Sequence, residues 1–97
     1  MRILSKSTLR DFWLIRGEAE VPLRVWHRKM KHGHYRTLQD VTEAFPRSSA
    51  IGNNRVVFRI HGNHFRLVVQ FNFAYSIAFI RFIGTHHEYD KISAAAV

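Results

Sequence analysis

Between Asn53 and Ile92 the chain alternates apolar and polar residues with the period of two that marks strands half-buried against a core. Gly62-Asn63 lies between two runs rich in Val, Ile and Phe, the signature of a hairpin closed by a two-residue loop. If His61 faces His64 across that turn, Ile60 faces Phe65, Arg59 faces Arg66, Phe58 faces Leu67, Val57 faces Val68 and Val56 faces Val69. One face then carries Val56, Phe58, Ile60, Phe65, Leu67, Val69 and Phe71, which is a core. The other carries Arg55, Arg59, His61, His64, Arg66, Gln70 and Asn72, which is not.

A third strand is expected from Ile77 to Gly84, after the loop Phe73-Ala74-Tyr75-Ser76. A loop of even length puts Val68 opposite Arg81, with Arg81 diagonal to Arg66 on the open face. An odd length would turn an unpaired guanidinium into the core, at high cost. The even loop is therefore expected, and three arginines converge. Directly opposed like charges such as Arg59 and Arg66 are unfavourable by a few tenths to about 1 kcal/mol. The pair fits two readings: guanidiniums splayed into water, or cations gathered around an anionic ligand.

In the N-terminal half, Met1 to Leu4 fits a short edge strand, and Ser5 or Ser7 fits the N-cap of a helix that runs to about Arg16 and stops at Gly17. Leu9, Phe12 and Trp13 follow helical spacing, so they read as core. Pro22 suits the first turn of a second helix closed by Gly33, with Val25, Trp26 and Met30 on one side. Its basic run from Arg24 to Lys31 is either a solvated face or a contact for backbone phosphate. Thr37-Leu38-Gln39-Asp40 resembles a cap opening a third, short helix that ends at Phe45-Pro46, and Arg47 to Asn54 is polar and turn-rich. Thr85-His86-His87-Glu88 reads as a capping box for a last helical turn or two reaching about Ile92, followed by a small, loosely held tail from Ser93 to Val97. The fold class is α+β, with the N-terminal helices packed on one face of a small antiparallel sheet and a short helix at the C-terminus.

Composition sharpens this picture. A chain of 97 residues with 46% hydrophobic content is expected to form a single domain with a real core. It contains no cysteine, which removes disulfides, thiolate nucleophiles and Cys-based zinc sites. The formal charge of +8 points to nucleic acid or an acidic protein as partner. The chain lacks an apolar run of membrane-spanning length and the apolar stretch of a signal peptide, so a cytoplasmic protein with no membrane role is expected.

Three ordered motifs then carry a resemblance: GNNRVVF at Gly52 to Phe58, GNHFRLVV at Gly62 to Val69 and IRFIGTHHEYDKI at Ile80 to Ile92. Together with the MRILSKSTLRDF opening and the AFP at Ala44 to Pro46, they make the chain similar to HigB-type toxins of the RelE-like superfamily. The resemblance implies an mRNA interferase: a toxin that cuts messenger RNA on the translating ribosome and is held inactive by a HigA-type helix-turn-helix antitoxin. Contact with operator DNA through the antitoxin complex is compatible with it. The same superfamily includes ParE-like toxins that act on DNA gyrase without cutting RNA, so the fold alone does not decide the activity.

RNA can be cut without a metal by making its own 2′-hydroxyl the nucleophile, which calls for a base, an acid and cations around the phosphorus. Arg66 is the expected phosphate clamp, with Arg81 beside it, because a guanidinium presents a planar fork of donors to phosphate oxygens. His86, heading the THHEYDK motif, is the expected proton carrier. Tyr89 follows one helical turn on and is suited to stacking on a base, orienting His86 or relaying a proton. Arg55, Arg59, His61, His64 and Lys91 are the expected RNA contacts. Lys91 also fits a merely solvated lysine, and His87 reads as solvent-exposed. Adjacent helical residues diverge and HExxH spacing is missing, so neither a metal nor another cofactor is expected at His86 and His87. The remaining alternative is a non-catalytic RNA-binding module, but such sheet surfaces display aromatics, and the open face of the second strand reads His64, Arg66, Val68, Gln70, Asn72.

Overall fold

The computed structural model describes residues 1–97 and builds them into one five-stranded sheet with four α-helices. Strand β1 (Arg2–Leu4) leads into α1 (Ser7–Ile15), and a 3₁₀ turn at Gly17–Ala19 connects it to α2 (Glu20–His32). Helix α3 (Leu38–Ala44) follows, then β2 (Ser48–Ile51), β3 (Arg55–Ile60), β4 (Phe65–Asn72) and β5 (Ile77–Thr85), and last α4 (His86–Tyr89). The strand order is β1-β5-β4-β3-β2.

Two strands alter the expected sheet. Arg47 to Asn54 is not only a turn-rich connection: Ser48–Ile51 pairs antiparallel with β3, Ser48 opposite Phe58 and Ile51 opposite Arg55. Its Ser-Ser start carries no alternation, so the strand is specified by its neighbour. Asn53 and Asn54 close this hairpin with φ of 61° and 56°, a left-handed region that asparagine tolerates better than most residues. At the other edge β1 runs parallel to β5, Arg2 opposite Ile77 and Leu4 opposite Phe79, so the sheet is mixed and not purely antiparallel.

The central hairpin has the expected register, Arg59 opposite Arg66 and Ile60 opposite Phe65. All seven residues of its apolar face belong to one core, joined by Leu9 of α1, Leu23, Trp26 and Met30 of α2 and Val41 of α3. Edge-to-face aromatic pairs lock the layers together: Phe12 on Phe65 at 5.1 Å, and Trp26 and Phe45 on Phe58 at 5.4 and 5.2 Å. Val25 departs from its expected side and is 57% exposed, since Leu23, Trp26 and Met30 already occupy the inner stripe of α2. Thr37 caps α3 by accepting from the Asp40 N–H, as the sequence motif anticipates. No helix is long and apolar enough to cross a membrane.

The second face of the sheet is not fully open. Helix α4 packs on β4 and β5, and the residues after it fold back over β3. Val68, on this face, is as buried as any core residue. The tail from Ser93 to Val97 is therefore a docked segment and not a loose end: the Asn53 amide donates to the Ala95 carbonyl at 2.7 Å, and the Arg55 guanidinium donates to the carbonyls of Ala95 and Val97.

Candidate active site

The β3–β4 turn projects a histidine pair. His61 and Gly62 adopt positive φ, 54° and 64°, so the left-handed pair sits one residue earlier than a Gly62-Asn63 loop would place it, with the register unchanged. The His61 and His64 rings meet at 4.9 Å and the His64 N–H donates to the His61 carbonyl. Immediately below, Arg59 and Arg66 oppose each other across the ladder. The Arg66 guanidinium folds toward the turn, donating to the carbonyls of Asn63 at 3.0 Å and Phe65 at 3.3 Å.

Across β4 on the other side, Arg66 faces Gly84. A Cβ at Gly84 would come within 2.7 Å of the Phe82 ring and 3.1 Å of Glu88 Oε1, so a side chain there would push Phe82 and the Glu88 cap of α4 aside. The Thr85 cap then starts α4 with a complete capping box: Thr85 Oγ1 accepts from the Glu88 N–H, and Glu88 Oε1 accepts from the Thr85 N–H at 2.8 Å. That backbone hydrogen bond, with the Thr85 hydroxyl second, holds the Glu88 carboxyl below its ordinary range. Glu88 therefore stays ionised at neutral pH and is spent on the cap.

The first residue of α4 is His86, and its N–H donates to the His64 carbonyl at 3.2 Å. This bond extends the β4–β5 ladder one step beyond Phe65 and Thr85 and fixes His86 opposite His64, two positions from Arg66 along β4. Its Nδ1 is buried without a hydrogen-bond partner, which leaves Nε2 as the nitrogen able to meet a substrate. A buried, unpartnered ring nitrogen costs about 1–3 kcal/mol. Tyr89 leans on Phe82 with ring centroids 6.4 Å apart. Lys91 is exposed just beyond α4.

Two of the expected residues lie elsewhere. Arg55 is only 6% exposed, because the tail supplies it with two carbonyls, and it is closed to RNA in this conformation. Arg81 is on the exposed side, and the loop before β5 has the expected even length, with Asn72 paired to Ile77. However, a β-bulge between Val68 and Val69 makes Phe82, not Arg81, the partner of Val68. The Arg81 guanidinium turns along the strand to Gln70, donating from Nε at 3.0 Å and Nη2 at 2.6 Å to the same oxygen, and lies 4.0 Å over the Phe79 ring. Arg66 turns the other way, toward Asn63, so the expected triple patch is divided in two. The rings of His86 and His87 also do not diverge: they lie 4.2 Å apart, and a donor atom from each falls within 4.8 Å of one from Asp90.

Gly84, Gln70 and Phe82 shape the site without having been singled out in the sequence. A glycine inside a strand pattern was the available signal for the first. Residues 19–92 match the HigB_toxin family model, described as the RelE-like toxic component of a toxin-antitoxin system. The chain belongs to this family. Over 95 residues it is also 26% identical to the mRNA interferase HigB of Escherichia coli O6:H1 (strain CFT073), covering 96% of this chain and 92% of that protein. The matched stretch includes the hairpin, Gly84 and α4, so every element of the HigB_toxin site just described lies inside it. As the toxic component of such a pair, a HigB_toxin protein has an antitoxin as its partner.

Proposed function

We propose that this toxin is a metal-independent endoribonuclease that cuts mRNA on the translating ribosome, in a single RelE-like domain over residues 1–97. The observation that carries the reading is the ladder bond from His86 to His64, which sets a solvent-reachable imidazole beside two unneutralised arginines. The name of the E. coli relative, an mRNA interferase, supports the same activity.

In this mechanism Arg66 and Arg59 hold the non-bridging oxygens of the scissile phosphate, where their charge grows in value as the phosphorus becomes more electron-rich. The 2′-hydroxyl loses its proton and attacks phosphorus, and the bond to the 5′-oxygen breaks. That oxygen leaves with a proton, so the products are a 2′,3′-cyclic phosphate and a 5′-hydroxyl. His86 Nε2 moves one of these protons. Tyr89, at the exit of α4, stacks on a base next to the cut or steadies the His86 ring. Arg81 reaches RNA by releasing Gln70, and His61, His64 and Lys91 contact flanking phosphates. The arginines carry the charge stabilisation, His86 one proton transfer and solvent water the other, so no cofactor is required. The partners are mRNA, the ribosome and a HigA-type helix-turn-helix antitoxin, with operator DNA reached through the antitoxin complex. All of them place the toxin in the cytoplasm.

Cleavage of a translated mRNA in the presence of EDTA tests this. The wild type cuts, whereas Arg66→Ala and His86→Ala are folded and silent. Cutting by the double variant would overturn the assignment. Inhibited DNA supercoiling with RNA intact would replace it with a gyrase-directed action.

A further inference from the structure

On the opposite side of the molecule, α1 and α2 leave a groove of about 520 Å³ between them. Their inner faces pack on the sheet through Leu9, Leu23, Trp26 and Met30, so the groove opens away from Arg66 and His86. Lys6 and Arg10 line one wall, Arg24, Arg28 and Lys31 the other, and no carboxylate is among the ten lining residues. Of these cations Arg24 alone is ion-paired, to Glu20 at 2.8 Å. His27 lies in the groove and loses affinity for its proton through burial first, then through Lys31, Lys6 and His32. The site is thus strongly positive from both walls.

The lining also indicates what the groove holds. Only two of its ten residues are hydrophobic, whereas the centre of a protein interface is apolar and depleted of charge. Nucleic-acid interfaces are polar and strongly positive. Single strands are gripped by free aromatic faces on which bases stack. The one indole here, Trp13, is covered by the Arg24 guanidinium at 4.7 Å. A surface with cations and no stacking platform recognises backbone phosphate alone, and successive turns of α2 repeat its cations every ~5.4 Å.

We propose that the α1–α2 groove binds the phosphodiester backbone of a double-helical RNA segment, separate from the strand that is cut. The proposal rests on the reading of the toxin as an RNA-cutting protein and adds a second, sequence-independent contact on its far side. Such a contact holds the enzyme on structured RNA while the hairpin face engages the message.

Fluorescence anisotropy with a fully 2′-O-methylated RNA duplex, which cannot be cut, tests the groove independently of cleavage. The wild type binds, and affinity falls steeply with salt. Arg28→Gln with Lys31→Gln lowers the slope of log affinity against log salt by roughly 1.5 units, since each phosphate contact contributes about 0.7–0.9. The melting temperature of that variant stays at the wild-type value. An unchanged slope in the double-glutamine variant overturns the proposal, as does a wild type that binds polyglutamate but not duplex. If the wild type binds duplex through the groove yet cuts no mRNA, the cleavage reading fails and the groove assignment stands.

Discussion

The two faces of the central hairpin are made of the same two strands, yet they behave as different materials. On the inner face Val56, Phe58, Ile60, Phe65, Leu67, Val69 and Phe71 all enter one core, each reinforcing the others. On the outer face, continued onto β5, residues of one expected class meet three fates: Arg55 is buried under the tail, Arg81 of β5 is tied to Gln70, and Arg59 and Arg66 stay beside the histidines. Apolar burial is non-directional, so period-two alternation suffices to specify it. A guanidinium goes wherever acceptors are offered, and those come from distant parts of the chain.

The contrast can be broken from the inner side first. Leu67→Ala removes a fully buried side chain and is expected to cost about 2–5 kcal/mol, read as a large drop in melting temperature. Arg66→Ala, one residue away, is expected to lower cutting about 10²–10³-fold with no change in melting. A shared effect of the two on stability would show that the outer face is structural as well.

Within the outer face, Arg55→Ala is expected to destabilise by about 1–3 kcal/mol because it strips the tail carbonyls of their donor. Proteolysis beyond Tyr89 should quicken with it. Arg59→Ala, on an exposed side chain, should stay within about 0.5 kcal/mol of the wild type. Equal losses for the two arginines would erase the distinction between a roofed and an open position.

The smallest effect concerns the cap. Glu88 has its carboxyl depressed in the folded state from an ordinary value of 4.5, chiefly by the Thr85 N–H. The unfolded chain therefore binds the proton more tightly, and the cap's contribution is full above the ordinary value and fades as pH falls through the lowered one. Glu88→Gln should flatten that acid limb of a pH-melting profile and leave the neutral region nearly unchanged. An unaltered acid limb would assign it to other carboxylates.

What the chain determined by itself is local. Alternation and a Gly-containing turn settle the β3–β4 register, and Thr37 and Thr85 announce the starts of α3 and α4, because each signal lies within a few residues of what it specifies. The same register singled out Arg66, and the family-like motif after β5 added the candidate site residues His86 and Tyr89. Tertiary structure decided the rest: the parallel seat of β1 on β5, the edge strand at Ser48–Ile51, the bulge that turns Arg81 away, and the tail over Arg55. It also set His86 against His64 and sealed its Nδ1. The seat of β1 and the tail over Arg55 join segments far apart in sequence, where the entropy of closing the loop is offset only by contacts that exist once the core has formed. A one-residue bulge left Arg81 without a partner on β4 and put Ile83, where unbroken pairing would have put Phe82, opposite Leu67, while the seven inner residues of the hairpin all stayed in the core.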